Sequence, residues 1–201
     1  MTISQTKSGV LAAALAAVWF VVPAAADPAA REQLVKTKAC EGCDLSGEDL
    51  SGLDLNRARL AKANLRGATL NGIDLQGADL HDADLAQTQL MHANMRGANL
   101  QKASLDGAFL GMASLAGANL KAASLVEARF SRADIEGADL EGANLRGADL
   151  FSAQMVFANL RGADLALADL SFADIGEADF TGAKSDDTTT CPNTKSGPCW
   201  P

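Results

Sequence analysis

The chain has 201 residues, 25 acidic against 17 basic, a formal net charge of −8 and only 4% aromatic residues. So acidic a surface argues against phosphate backbones and anionic lipid surfaces as partners, and so few aromatics argue against a core built on large rings. Its apolar content of 48% is largely Ala and Leu locked to a repeat, which implies a narrow, regular core rather than a broad one.

Residues 1–26 read as a secretory signal. Lys7 supplies the positive start, residues 10–22 an apolar stretch, and Ala24-Ala25-Ala26 a small-residue cleavage site. The apolar run is about 13 residues, short of the ~20 needed to span a bilayer, so cleavage before Asp27 is expected rather than anchoring. Loss of Lys7 makes the mature chain one unit more acidic. The expected address is the periplasm or the extracellular space, with no membrane association after cleavage.

Residues 27–42 form the next unit. Asp27 and Pro28 suit the cap and first turn of a helix, residues 29–34 are good helix formers, and Lys36 and Lys38 favour its C-terminal end. A short helix over 28–38 is predicted, capping the repeats beyond it. Then comes Cys40-Glu41-Gly42-Cys43. A redox-active pair of this spacing sits at a helix N-terminus, where the dipole lowers the thiol pKa; this one lies after the helix, so a structural disulfide is expected.

Residues 43–183 repeat every five. Leu, or an occasional Met, Ile or Phe, occupies every fifth position from Leu45 to Phe180, 28 times without an insertion, and Ala usually precedes it by two. Period five fits neither a helix nor a continuous strand. It fits a three-residue strand and a two-residue corner, with Ala and Leu pointing inward, Asp or Asn between them pointing outward, and Gly often ending the corner. Met95, Ile135, Met155 and Ile175 are separated by multiples of 20, which predicts four repeats per turn and a square cross-section.

The motif Ala-(Asp/Asn)-Leu-X-X, as in residues 138–142 and 143–147, resembles the pentapeptide repeat family. That resemblance implies an all-β, right-handed quadrilateral parallel β-helix of about seven coils, near 34 Å long at about 4.8 Å per coil. Departures gather early: Cys43, Glu48, Leu53 and Ile73 replace the inward Ala, with Thr88 later. Glu48 is the misfit, since an unpaired carboxylate is costly in a dry core. The first coil is therefore expected to be open to water or distorted.

The array offers little chemistry. His81 and His92 stand just after columns two sides apart, so they face opposite ways and share no metal. The outward carboxylates, among them Asp134, Asp139, Asp149, Asp164, Asp169, Asp174 and Asp179, are interrupted by Asn, Ser, Arg and Gln, and are read as a solvated face bonded to nearby backbone rather than a cation ladder. No catalytic residue, metal or cofactor is expected.

Residues 184–201 break the repeat and carry Cys191 and Cys199. A rod keeps its ends apart, and a disulfide needs Cα atoms within about 7 Å, so pairing is expected to be local at each end. Trp200 is expected to cover the last coil.

Five large apolar residues, Met91, Phe109, Met112, Phe151 and Phe172, fall outside the core around the column of Leu50, Leu70, Leu90, Leu110, Phe130, Leu150 and Leu170, and Val156, Phe157 and Leu167 could extend this stripe. The leading expectation is a non-enzymatic exported rod that uses it to bind a protein partner or a second copy, with no nucleic acid involved. The resemblance implies an alternative, an acidic DNA mimic binding a type II topoisomerase, which would require a cytoplasmic form. A minor alternative is thiol-disulfide exchange through Cys40 and Cys43.

Overall fold

The computed structural model describes residues 28–197 and 199; the predicted signal segment, Asp27 and Trp200 lie outside the described residues. A helix, α1, spans Pro28–Thr37. It ends because Lys38 turns left-handed at φ 52°, while its amide still donates to the Leu34 carbonyl at 2.8 Å.

From there the backbone repeats with a register of 20. Parallel bridges run from Ala39↔Arg59 and Asp44↔Asn64 through to Asp164↔Lys184, every fifth residue meeting the one 20 further on. Four repeats therefore close one rung. The Met95, Ile135, Met155 and Ile175 column reported this spacing correctly.

The sides are shorter than the predicted three-residue strands. Only the middle residue of each side forms a bridge. Leu45 N–H donates to the Asn64 carbonyl (2.7 Å) and Asn64 N–H donates to the Cys43 carbonyl (2.8 Å), but the Ala58 amide is spent on its own corner, donating to the Leu55 carbonyl at 3.0 Å. The ladder is therefore broken at the inward Ala, although the third corner residue adds a bond between rungs, as Gly47 N–H does to the Arg66 carbonyl at 3.0 Å.

Each corner is a four-residue turn with positive φ at its third residue only, the type II geometry. Gly suits that slot, yet of the 29 corner residues from 42 to 182 only 14 are Gly and 15 carry side chains. The outward Asp and Asn residues stabilise the turns. Ser46 N–H donates to Asp44 Oδ1 at 3.0 Å, Gln76 N–H to Asp74 Oδ1 at 3.0 Å and Thr181 N–H to Asp179 Oδ1 at 2.9 Å. Asn side chains also tie rungs together, Asn94 to Asp74 at 2.9 Å and Asn159 to Asp139 at 3.0 Å.

Inside, the Ala and Leu columns are buried along the array, with Phe130 the largest wholly enclosed side chain. Thr88 fits an Ala slot because its hydroxyl donates to the Leu85 carbonyl at 2.7 Å. Glu48 does not distort the first coil as expected. The Thr69 amide donates to the Glu48 carbonyl at 2.9 Å, in register, and the half-buried carboxylate of Glu48 lies 3.5 Å from Arg31 Nε on α1. The helix that caps the rod also supplies the missing counter-charge.

The two ends are closed differently. At the start, α1 buries Ala30 and Leu34 over the core, and the Cys40–Cys43 disulfide joins the segment after α1 to the first repeat, with Cα atoms 5.4 Å apart. At the finish, Cys191–Cys199, with Cα atoms 5.3 Å apart, folds the tail back. That tail enters one residue out of step, pairing Asp169 with Thr190. It covers the Leu165 and Leu170 columns, while Ile175, Ala178, Phe180 and Ala183 stay half-buried.

Candidate interaction surface

The repeat register assigns every exterior side chain to a side or an edge. Two sides matter here, named by a residue of the inward column: the Phe130 side, and the Met155 side next to it around the square. Met91 and Phe151 stand one residue past the Phe130 column, and Met112 and Phe172 two residues past it. The predicted stripe is thus an edge of the rod, shared by these two sides; only Phe109 projects from the Phe130 side itself.

That edge is interrupted. Phe109 is partly sheltered by Arg129, whose guanidinium lies 4.8 Å from the ring centroid, and with Gln89 and Met91 it lines a shallow hollow of about 270 Å³. One rung on, Ser131 and Arg132 replace apolar residues. Further towards the C-terminus Phe151 and Phe172 meet edge to face, ring centroids 5.6 Å apart, with Phe151 half-buried and Phe172 exposed. Two apolar groups therefore occupy the edge, separated by a cationic rung.

Backbone geometry adds an observation. Met112, Phe157, Leu167 and Phe172 all occupy the left-handed corner slot, at φ 58°, 61°, 66° and 59°. They are also 46%, 56%, 53% and 65% exposed. Each is doubly disfavoured: a bulky side chain at positive φ costs about 1–2 kcal/mol, and little is regained by burial. The signal was legible, since the residue two after each central Leu is the slot where Gly recurs. The register of 20 stacks Arg129 directly on Phe109, so their adjacency was legible too; that the guanidinium lies over the ring was not, because spacing does not set a side-chain rotamer.

His81 is half-buried, with Nδ1 2.7 Å from Asp79 Oδ1, while His92 is an exposed corner residue at φ 59°. Burial pushes the Asp79 carboxyl up, but bonds from the His81 side chain and backbone outweigh it, leaving Asp79 below the usual carboxylate range. Cys40 is buried beyond the C-terminal end of α1, its Sγ 3.4 Å from the Ala30 carbonyl, at the end of a helix that does not favour a thiolate. Among the described residues no three His, Cys, Asp or Glu side chains are grouped to hold a metal. A wider hollow of about 510 Å³ is lined by Asn56, Arg57, Gln76, Gly77, Arg96 and Gly97, but Arg96 is already engaged, 3.3 Å from Asp134.

Comparison with known families and structures agrees with this architecture. The family profile described as pentapeptide repeats matches residues 39–72, 73–111, 113–150 and 148–184. The chain belongs to the pentapeptide repeat family, whose members fold as right-handed quadrilateral β-helices. Among solved structures it is similar to HetL, a pentapeptide repeat protein involved in heterocyst differentiation regulation from the cyanobacterium Nostoc sp. strain PCC 7120, at 28% identity over 79% of this chain and 89% of that one, with a TM-score of 0.50. It is also similar in fold to full-length QnrB1, a plasmid-mediated fluoroquinolone resistance protein, at 23% identity over 74% of this chain and 82% of that one, with a TM-score of 0.56. Comparison with curated proteins finds no match.

Proposed function

We propose that this chain is an exported, non-catalytic rod that binds a protein through the apolar edge between its Phe130 and Met155 sides. The observation that carries this reading is that Met112 and Phe172 on this edge occupy exposed left-handed corners, where Gly would cost less, while Phe157 and Leu167 do the same on other edges of the rod. Folding alone does not account for them. The involvement of HetL in heterocyst differentiation regulation is compatible with a protein that acts by contact.

Export rests on the segment ending at Ala26. N-terminal sequencing of protein recovered from the exported fraction should begin at Asp27; a chain retained in the cytoplasm with Met1 intact would refute that part. The contact surface is tested by Phe151→Ser with Phe172→Ser. In-cell crosslinking from a probe at position 172 should yield a defined partner that the double variant no longer captures, and unchanged capture by that variant would sink the claim.

A further inference from the structure

The apolar residues and the acidic charge concentrate at the same end of the rod. Residues 125–184 carry eleven acidic side chains against five basic, whereas residues 39–124 carry ten against seven. Three of those five bases are already engaged: Arg129 stacks on Phe109, Arg146 lies 3.7 Å from Asp164 and Arg161 lies 3.1 Å from Asp179. Phe151, Phe157, Leu167 and Phe172 all fall in this segment.

On the Met155 side the two properties share one plane. Phe151 and Phe172 stand on one edge and Phe157 on the other, with exposed Gln154 and Asp174 between them and exposed Glu136 and Glu177 beside Phe157. The side between these edges is three extended residues wide, about 10 Å, which is the diameter of an α-helix with its side chains. A strand could not augment this plane, because its backbone is consumed between rungs: Asp174 N–H donates to the Ala153 carbonyl at 2.9 Å, Met155 N–H to the Asp174 carbonyl at 2.7 Å and Phe157 N–H to the Gly176 carbonyl at 2.9 Å. A partner must bind here through side chains.

Resting on the proposed interaction role, we infer that the C-terminal part of the Met155 side docks a cationic amphipathic helix of a partner protein. Apolar residues of that helix reach Phe172 and Phe157, while its Lys or Arg residues face Asp174, Glu136 and Glu177. Charge argues against a second copy, since face-to-face pairing would oppose two acidic planes on chains of formal charge −8.

The test uses the full chain and a peptide of about 18 residues built from Leu and Lys, with Leu at i, i+3, i+4 and i+7. A scrambled peptide of the same composition serves as control, and binding is followed by fluorescence anisotropy and peptide helicity. The patterned peptide should bind as a helix, weaken several-fold between about 50 and 300 mM salt, and lose at least about tenfold in affinity with Phe157→Gly and Phe172→Gly. Asp174→Asn with Glu177→Gln should remove much of the salt dependence. Gly is the residue the corner backbone prefers, so the Phe variants keep the fold, which a thermal melt checks.

Equal binding of the scrambled peptide, or affinity unmoved by the Phe variants, overturns the proposal. So does concentration-dependent dimerisation that those variants abolish, which would make the occupant a second copy. If the peptide fails while Phe151→Ser with Phe172→Ser still removes the crosslinked partner, only the helix chemistry falls. If neither responds, the interaction role falls with it.

Discussion

The two ends of this rod face the same problem and meet it with different materials. At the N-terminal end a helix brings Ala30 and Leu34 onto the core and Arg31 to Glu48, and Lys38, just past its end, reaches Asp54 at 2.9 Å. At the C-terminal end a looped tail covers the Leu165 and Leu170 columns and leaves Ile175 and Phe180 half-buried. A helix closes the end by laying apolar side chains across it, whereas a tail closes it by extending the ladder. The first covers Leu45, Leu50 and Leu55 at once and leaves Cys43 and Leu53 half-buried; the second covers only the columns it runs along.

The contrast can be broken from either end. The largest effect is expected from Leu34→Ala, which removes a wholly buried side chain from the helical cap and should cost about 2–4 kcal/mol. Urea unfolding with hydrogen exchange should show the loss and raise exchange first in the rungs around Leu45 and Leu50; uniform exchange would contradict a separate helical cap. Next comes Cys191→Ser with Cys199→Ser. Opening that loop should cost about 2–3 kcal/mol, with faster exchange at the Thr190 and Lys184 amides and little change near Asn64. Equal loss at both ends would mean the caps are coupled through the rod.

Smaller effects sharpen the same contrast. Lowering pH removes carboxylate bonds at both ends. Asp44 and Asp49 are held below the usual range first by the Ser46 and Ser51 hydroxyls, Asp54 by Lys38, and towards the other end Asp179 by Thr181 and Asp186 by Thr188. A depressed folded-state pKa means the stabilisation is complete above the unfolded value of 3.8 and is lost as pH falls through the folded values. The melting temperature should therefore be flat with respect to these groups from neutral pH down to about 5 and fall below about 4. A fall already complete at pH 5 would point to other groups. The smallest effect is expected from Phe172→Gly, which trades relief of positive-φ strain against the entropy of Gly, a net gain of about 1 kcal/mol or less. A loss above about 1 kcal/mol would show that Phe172 serves the fold.

What could be read from the chain alone tracked its periodicity. The five-residue spacing placed the inward Leu columns, the Met155 column set the rung at 20, and composition marked α1 and both local cysteine pairs. Features set by how one non-repeating piece lies on another were not legible. Glu48 looked unpaired because Arg31 lies across the rod mouth, 17 residues earlier in the chain. The one-residue slip that pairs Asp169 with Thr190 occurs where the pattern has stopped. The stripe was legible as a set of residues, and the register of 20 stacks Arg129 beside Phe109, but spacing alone does not say that the guanidinium lies over the ring.

The register of 20 makes the rod behave like a graduated dial. Inserting one full rung would move the two ends apart by about 4.8 Å without turning one against the other. Deleting a single repeat of five would instead rotate everything beyond it by a quarter turn, carrying Phe172 round to an adjacent side while leaving Met91 where it was. Relative position along such a chain is quantised, in steps of one rung lengthwise and one quarter turn around. Two docking points on this surface can therefore be re-aimed by changing the number of repeats between them, with no residue at either point altered.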